Sequence, residues 1–185
     1  MTDALDREAR FRRVCEAHTA AVLAYALRRT SREDAADVVA ETFLVAWRRL
    51  DDVDELTALP WLYAVARRVL LSQRRATRRQ QAIAERVAAA EPSASPEAAG
   101  GSGSRRLLDA LGRLSEAERE VLMLAAWEEL SGPEAARVLG CSATAYRIRL
   151  HRARRRLRER LAQAEAGGQA RPSVPAARTE ESASC

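Results

Sequence analysis

Residues 131–160, SGPEAARVLGCSATAYRIRLHRARRRLRER, decide the fold of this chain. They read as a short helix, a tight turn and a second, arginine-rich helix. Gly140 stands where the chain between two helices needs a small or left-handed residue. Ser142 stands where a helix N-cap belongs. Successive helical residues turn by about 100°, so Tyr146, Leu150, Ala153 and Leu157 share one side and should face a core. Arg147, Ile148, His151, Arg152 and Arg155 fall on the other side. From Arg147 to Arg160 there are eight arginines against one glutamate, Glu159. Like charges this dense repel, and phosphates would relieve that repulsion. The pattern predicts a helix–turn–helix whose second helix enters the major groove of DNA.

Working outward, Ser115 and Glu118 have the spacing of a capping box ahead of a helix around Val121–Trp127. Leu107, Leu108, Leu111 and Leu114 are spaced for a core face. The helix–turn–helix therefore belongs to a helical domain over 105–163, with a disordered tail over 164–185. Upstream, residues 89–104 include EPSASPEAAGGSGS, a flexible Pro/Ser/Gly linker without apolar periodicity.

A second helical domain is expected over 8–88. Phe11, Val14, Cys15, His18, Val22 and Tyr25 recur at helical spacing. Ser31 and Asp34 predict a capping box for the next helix, with Val39, Phe43, Ala46 and Leu50 as its apolar stripe. Residues 51–57, DDVDELT, read as an acidic loop, and Pro60 as the start of a third helix. That helix buries Leu62, Val65, Ala66, Val69 and Leu70. Arg67, Arg68, Arg74, Arg75, Arg78 and Arg79 project to its other side, with no acidic residue between Arg67 and Arg79. They suggest a second nucleic-acid face. Trp61 and Tyr63 are candidates to stack on bases, although Trp61 at a helix start also suits a core.

Between 33 and 55 the sign reverses. Glu33, Asp34, Asp37, Glu41, Asp51, Asp52, Asp54 and Glu55 stand against only Arg48 and Arg49. Asp34, Asp37 and Glu41 share a helix face, which repels DNA and suits a basic protein surface, with Phe43 or Trp47 as an anchor.

The 31 basic residues are all arginine and exceed 26 acidic ones, a formal charge of +5. Scarce glycine before residue 100 and abundant alanine, leucine, arginine and glutamate predict an all-α protein of two small helical domains. No run of 18 apolar residues predicts a membrane span. Cys15, Cys141 and Cys185 lack paired spacing and read as free thiols in a reducing cytoplasm, with Cys141 a small buried turn residue. His18 and His151 lie on different domains, and no metal, cofactor or catalytic constellation is expected.

The stretches REDAADVVAETFLVAWRRL (32–50) and LPWLYAVARRVLLSQRR (59–75) resemble region 2 of the extracytoplasmic-function class of bacterial sigma factors. LSEAEREVLMLAAWEELSGPEAARVLGCSATAYRIRLHRARRRLRERL (114–161) resembles their region 4. The resemblance covers roughly 8–162 and implies a cytoplasmic bacterial protein, at the nucleoid when bound to polymerase, that is not itself an enzyme. It implies core RNA polymerase and promoter DNA as partners, with contacts to the clamp helices of the largest subunit and to the flap region. It adds an anti-sigma factor, which often holds this class inactive, as a candidate partner. Polymerase docking would fall to Asp34, Asp37, Glu41, Phe43 and Trp47. The melted −10 element would fall to the 51–57 loop with Asp54, and to Arg67, Arg68, Ser72 and Arg75. The −35 duplex would fall to Ser142, Thr144, Arg147, Ile148, His151, Arg152 and Arg155. The chain departs from the family pattern at Ala40, where glutamine is frequent, and at Arg68 and Ser72, where asparagine and aspartate are. Ala145, Tyr146 and Ile148 replace a frequent Thr-Val and a small polar residue. Ile148 donates no hydrogen bond but can touch a thymine methyl.

Two other functions fit parts of the pattern. A stand-alone operator-binding regulator would not need the acidic stripe. A sequestering interaction protein would not need the outward face at 147–155.

Overall fold

A computed structural model of the chain describes residues 2–85 and 102–169. They form α1 (Thr2–Leu27), α2 (Arg32–Arg48), α3 (Ala58–Glu85), α4 (Ser102–Gly112), α5 (Glu116–Trp127), α6 (Gly132–Leu139) and α7 (Ala143–Gln169), with short 3₁₀ turns at Leu50–Asp52 and Glu55–Thr57. The all-α expectation holds among the described residues. The linker expected over 89–104 lies mostly outside them, but its last residues, from Ser102, already belong to α4. The tail expected from 164 is helical as far as Gln169, because α7 continues. The rest of the tail lies outside the described residues. Pro60 sits in the first turn of α3, which starts at Ala58; a proline there removes no helical hydrogen bond.

Helices α1, α2 and α3 pack on one another as a first module, and α4, α5 and α6 gather along α7 as a second. The stripe read from α3 is the centre of the first core: Leu62 and Ala66 are wholly buried, and Val65, Val69 and Leu70 nearly so. Val14, Val22 and Tyr25 from α1, and Val38, Phe43 and Ala46 from α2, complete it. In the second module Val121, Ala135, Ala136 and Tyr146 form one cluster, and Leu114, Leu122 and Ala153 another. The α4 expectation is only half right. Ala110 and Leu114 are buried against α7, whereas Leu107 and Leu108 are exposed. A short helix packed on one neighbour buries a single narrow stripe.

The modules touch. Leu124 of α5 and Val138 of α6 join the first core, and α6 packs against α3. The α5–α6 turn places Glu129 at φ 51°, a left-handed conformation uncommon outside glycine.

Capping starts the helices of the second module. The Glu118 carboxylate accepts the Ser115 backbone N–H at 3.0 Å, and Ser115 Oγ accepts the Glu118 N–H at 3.3 Å. Glu134 accepts the N–H and hydroxyl of Ser131 at 2.8 and 2.5 Å, a second capping box the sequence reading had passed over. At α2 the pairing is looser: Ser31 Oγ accepts the Asp34 N–H at 3.2 Å, while the Asp34 carboxylate takes the Ser31 hydroxyl at 2.7 Å. The Ser115 hydroxyl, then its backbone N–H and the charge of Arg156, hold the Glu118 carboxyl below the usual range, against a burial contribution that raises it. Ser131 does the same for Glu134. A folded pKa below the unfolded one adds stability that is present above the unfolded value, about 4.3, and lost as pH falls through the folded value. The second module should therefore melt at lower temperature as pH is taken from 6 to 3. Ser115→Ala should cost about 1 kcal/mol at neutral pH and flatten that acid dependence. Circular dichroism melts across the pH range check both, and a melting curve indifferent to pH in this window would remove the carboxylate from the account.

Candidate nucleic-acid interface

The second helix of the helix–turn–helix is α7, and its aim is set at the preceding turn. Gly140 adopts φ 65°, where a side chain would be strained. The Cys141 N–H returns to the Ala136 carbonyl at 2.9 Å. Ser142 Oγ then accepts the Ala145 N–H at 3.1 Å, capping α7. These bonds fix the helix's rotation. Tyr146 and Ala153 are buried and Leu150 and Leu157 half-buried, so the predicted inner face is the inner face. Thr144, Arg147, Ile148, His151, Arg152 and Arg155 are exposed, Ile148 by 47%. Arg147 donates to Thr144 Oγ1 at 3.4 Å, and Arg155 pairs with Glu159 at 3.4 Å, both contacts at the surface. Cys141 is half-buried against Val121, Ala135 and Tyr146 rather than fully enclosed.

The arginines of α3 divide into two faces that helical spacing alone had merged. Arg68, Ser72, Arg75 and Arg79 are exposed along one stripe. Arg67, Arg74 and Arg78, turned by about 100°, face α5 instead. Arg74 pairs with Glu116, and Arg78 reaches the same carboxylate at 3.2 Å. Burial raises the Glu116 pKa, but the hydrogen bond and charge of Arg74, with Arg78, outweigh it and hold the carboxyl below its ordinary value. Arg67 is half-buried beside a cavity of about 240 Å³ that Tyr25, Arg29, Arg74 and Glu120 also line. Tyr63 is not available to bases: it is 3% exposed and stacks on Tyr25 at 4.8 Å between ring centroids. Burial, then the charge of Glu128 and a hydrogen bond to it, push the Tyr63 phenol up to about 12. Trp61 is half-buried against the first core.

The 51–57 loop is held to α1, a tie the sequence reading missed. Arg7 pairs with Asp51 at 3.0 Å, Arg13 with Glu55 at 3.1 Å, and Arg10 donates to the Val53 carbonyl. The Arg13 hydrogen bond is the main reason the Glu55 carboxyl lies below its usual range. Asp54 is exposed at the loop's tip and accepts the Thr57 hydroxyl at 3.3 Å.

The acidic stripe of α2 is exposed at Asp37 and Glu41, while Asp34 is engaged in the cap, taking the Thr30 hydroxyl at 3.1 Å as well. Phe43 was read as an anchor, but it is 8% exposed and belongs to the first core. Leu44 holds the outward position beside Glu41, 47% exposed. Its spacing from Asp37 and Glu41, i+7 and i+3, was the available signal. Trp47 is 37% exposed, packs edge-on against Phe11 at 5.1 Å and lies under the Arg7 guanidinium at 5.3 Å. Among the described residues no cluster of His, Cys, Asp or Glu could hold a metal, and no helix is long and apolar enough to cross a membrane.

Known families match a segment in each module. The family model for Sigma-70 region 2 matches residues 14–80, and that for Sigma-70, region 4 matches residues 104–157. RNA polymerase sigma factor NccH of Alcaligenes xylosoxydans xylosoxydans is 34% identical over 136 residues, 67% of this chain and 71% of that protein. The ECF RNA polymerase sigma factor SigL of Mycobacterium tuberculosis is 33% identical over 153 residues, covering 80% and 86%. Among solved structures, the sigma factor RpoE in complex with the anti-sigma factor NepR from Bartonella quintana aligns with a TM-score of 0.63 at 28% identity, over 82% of this chain and 96% of that one.

Proposed function

Because this chain belongs to the sigma-70 family, in its extracytoplasmic-function class, and so binds RNA polymerase and directs promoter-specific initiation, we propose how its surfaces divide that work. Asp37 and Glu41, with Leu44 beside them and Trp47 at the flank, dock the first module on the clamp helices of the polymerase's largest subunit. Arg68, Ser72 and Arg75, beside the loop that carries Asp54, hold the melted −10 strand. Unstacking a base costs a few kcal/mol, which backbone contacts and capture of the flipped base offset. The outward face of α7 reads the −35 duplex while the second module rests against the flap region. Arginines supply phosphate affinity and register, and a few side chains such as Ile148 supply base choice.

The observation that carries this reading is the separation of charge by surface. An exposed acidic stripe and two exposed arginine faces occupy different helices of two modules. A stand-alone operator binder has no use for the stripe. Sigma factors as a family are not enzymes, so in this reading the polymerase does the chemistry and this chain the addressing. The family works in the cytoplasm with RNA polymerase, and association with the nucleoid follows from that partnership. The RpoE–NepR complex supports an anti-sigma partner for this chain too.

The deciding experiment is initiation by purified chain plus core polymerase on a promoter library. Specific transcripts that need both components support the reading, and tight operator binding without polymerase would sink it. Arg152→Ala should weaken −35 duplex binding and flatten the slope of log K against log salt by about 0.9, one phosphate contact. An unchanged slope in a salt titration of isothermal binding would place Arg152 off the backbone.

A further inference from the structure

A second cavity, of about 220 Å³, lies where α3, α5 and α7 meet, and its charge is unbalanced. Arg67 of α3 and Arg149 and Arg152 of α7 line it, with Ala117, Val121 and Leu139 as its apolar part. None of these three arginines makes an ion pair among the described residues.

Two carboxylates, Glu118 and Glu120, also border the cavity, but both are already engaged. Glu118 pairs with Arg156 at 3.2 Å and closes the Ser115 capping box. Glu120 pairs with Arg29 at 2.9 Å and accepts the Tyr25 hydroxyl at 2.9 Å. Behind it, Arg28 and Arg29 take the two oxygens of the wholly buried Glu128, at 2.6 and 2.9 Å. The carboxylates therefore have their cations, and the excess positive charge stays on Arg67, Arg149 and Arg152.

Arg67 is the member most withdrawn from water. It is half-buried, and its Nε is buried without a hydrogen-bond partner. It stands between this cavity and the one of about 240 Å³ beside Tyr25. An unpaired buried donor on a cation is costly, so an acceptor that carries negative charge gains most here. Planar guanidinium groups suit the oxygens of a phosphate, and three unpaired cations favour a dianion over a singly charged carboxylate. The volume is below the roughly 300 Å³ at which pockets for drug-sized ligands begin, so the phosphate can carry only a small body. Val121 and Leu139 give that body an apolar wall.

We propose that this cavity binds a small phosphate monoester, its phosphate held by Arg67, Arg149 and Arg152 and its apolar body set against Val121 and Leu139. The site goes beyond the sigma-factor reading and does not depend on it. A DNA backbone phosphate offers the same chemistry to Arg152, and the experiment separates the two sources.

The test is calorimetric titration of the full chain in about 0.1 M salt, which screens loose surface association, with phenyl phosphate and inorganic phosphate as probes. Both should bind saturably, phenyl phosphate about fivefold more tightly because part of its ring leaves water. Arg67→Ala should weaken phenyl phosphate binding by at least about tenfold, the loss of a charge-assisted hydrogen bond. Arg158→Ala, at an exposed position of α7 away from the cavity, should change it by less than about twofold. Should Arg67→Ala lose helix content, Arg149→Ala at an exposed position carries the test, with about threefold weakening expected. No saturable binding of phenyl phosphate, or an equal loss in the cavity variant and in Arg158→Ala, overturns the site. Equal affinity for the two probes overturns the monoester. A flat titration of both probes, with −35 duplex binding weakened by Arg67→Ala, would give the cavity to the DNA backbone and overturn a site for a free ligand.

Discussion

Asp37→Arg with Glu41→Arg is expected to abolish binding to core RNA polymerase, lowering affinity by more than a hundredfold. Both carboxylates are exposed and make no ion pair among the described residues, so their charge is available to a partner. The double reversal changes the local charge from two negatives to two positives. Against a basic docking surface, like-charge contact costs several kcal/mol, and a hundredfold is about 2.7 kcal/mol. The fold should not register the change. Both positions lie beyond the first turn of α2, where the helix dipole acts only weakly, and neither touches the core. Fluorescence titration with core polymerase and a circular dichroism melt check the two halves. Affinity within threefold of the wild type would remove the stripe from the docking surface. The neighbouring apolar positions supply the control. Leu44→Ala should weaken binding with little effect on the melt, and Phe43→Ala should do the reverse, destabilising the module by about 3 kcal/mol as a buried aromatic does.

That contrast shows what helical periodicity can and cannot tell. Period 3.6 already set Phe43 in the stripe of Val39, Ala46 and Leu50, and Leu44 on the face of Asp37 and Glu41; offering Phe43 as an anchor set that signal aside, and the first core encloses it. On α3 the apolar stripe was long enough to fix the inner face. What lay opposite was read as one arginine face, although it is two, one open and one against α5. Tyr63 was misread for the same reason, since nothing local says that Tyr25 stacks on it. The helix–turn–helix was legible almost whole, because Gly140, Ser142, Tyr146 and Ala153 obey local rules of turn, cap and period. The pairs joining Arg28 and Arg29 to Glu120 and Glu128 were illegible. They span 91 to 100 residues of sequence, and each partner taken alone looks like an ordinary solvated charge.

The largest effect on DNA binding should come from a residue that never touches DNA. Tyr146→Ala removes a side chain that is 4% exposed and packed on Val121, Ala135 and Ala136. A Cβ on Gly132 would lie 3.9 Å from the ring, so Gly132 itself offers no side chain to fill the gap. Truncating a buried aromatic to alanine costs about 3–5 kcal/mol. A module of this size holds only roughly 3–10 kcal/mol in total. The second module should therefore be largely unfolded in the variant near physiological temperature. Duplex −35 binding by α7 should be lost, while polymerase docking through Asp37 and Glu41 survives. Ile148→Ala, two residues along the same helix, should leave the melt unchanged. If Ile148 meets a thymine methyl, that variant should weaken discrimination at one base pair by about 1 kcal/mol. Anisotropy on a set of single-base operator variants, with melts of both proteins, separates the two effects. A Tyr146→Ala protein that melts within about 1 kcal/mol of the wild type would mean that the inner face of α7 can be repacked. The aim of its arginines would then be set by the Gly140 turn and the Ser142 cap alone.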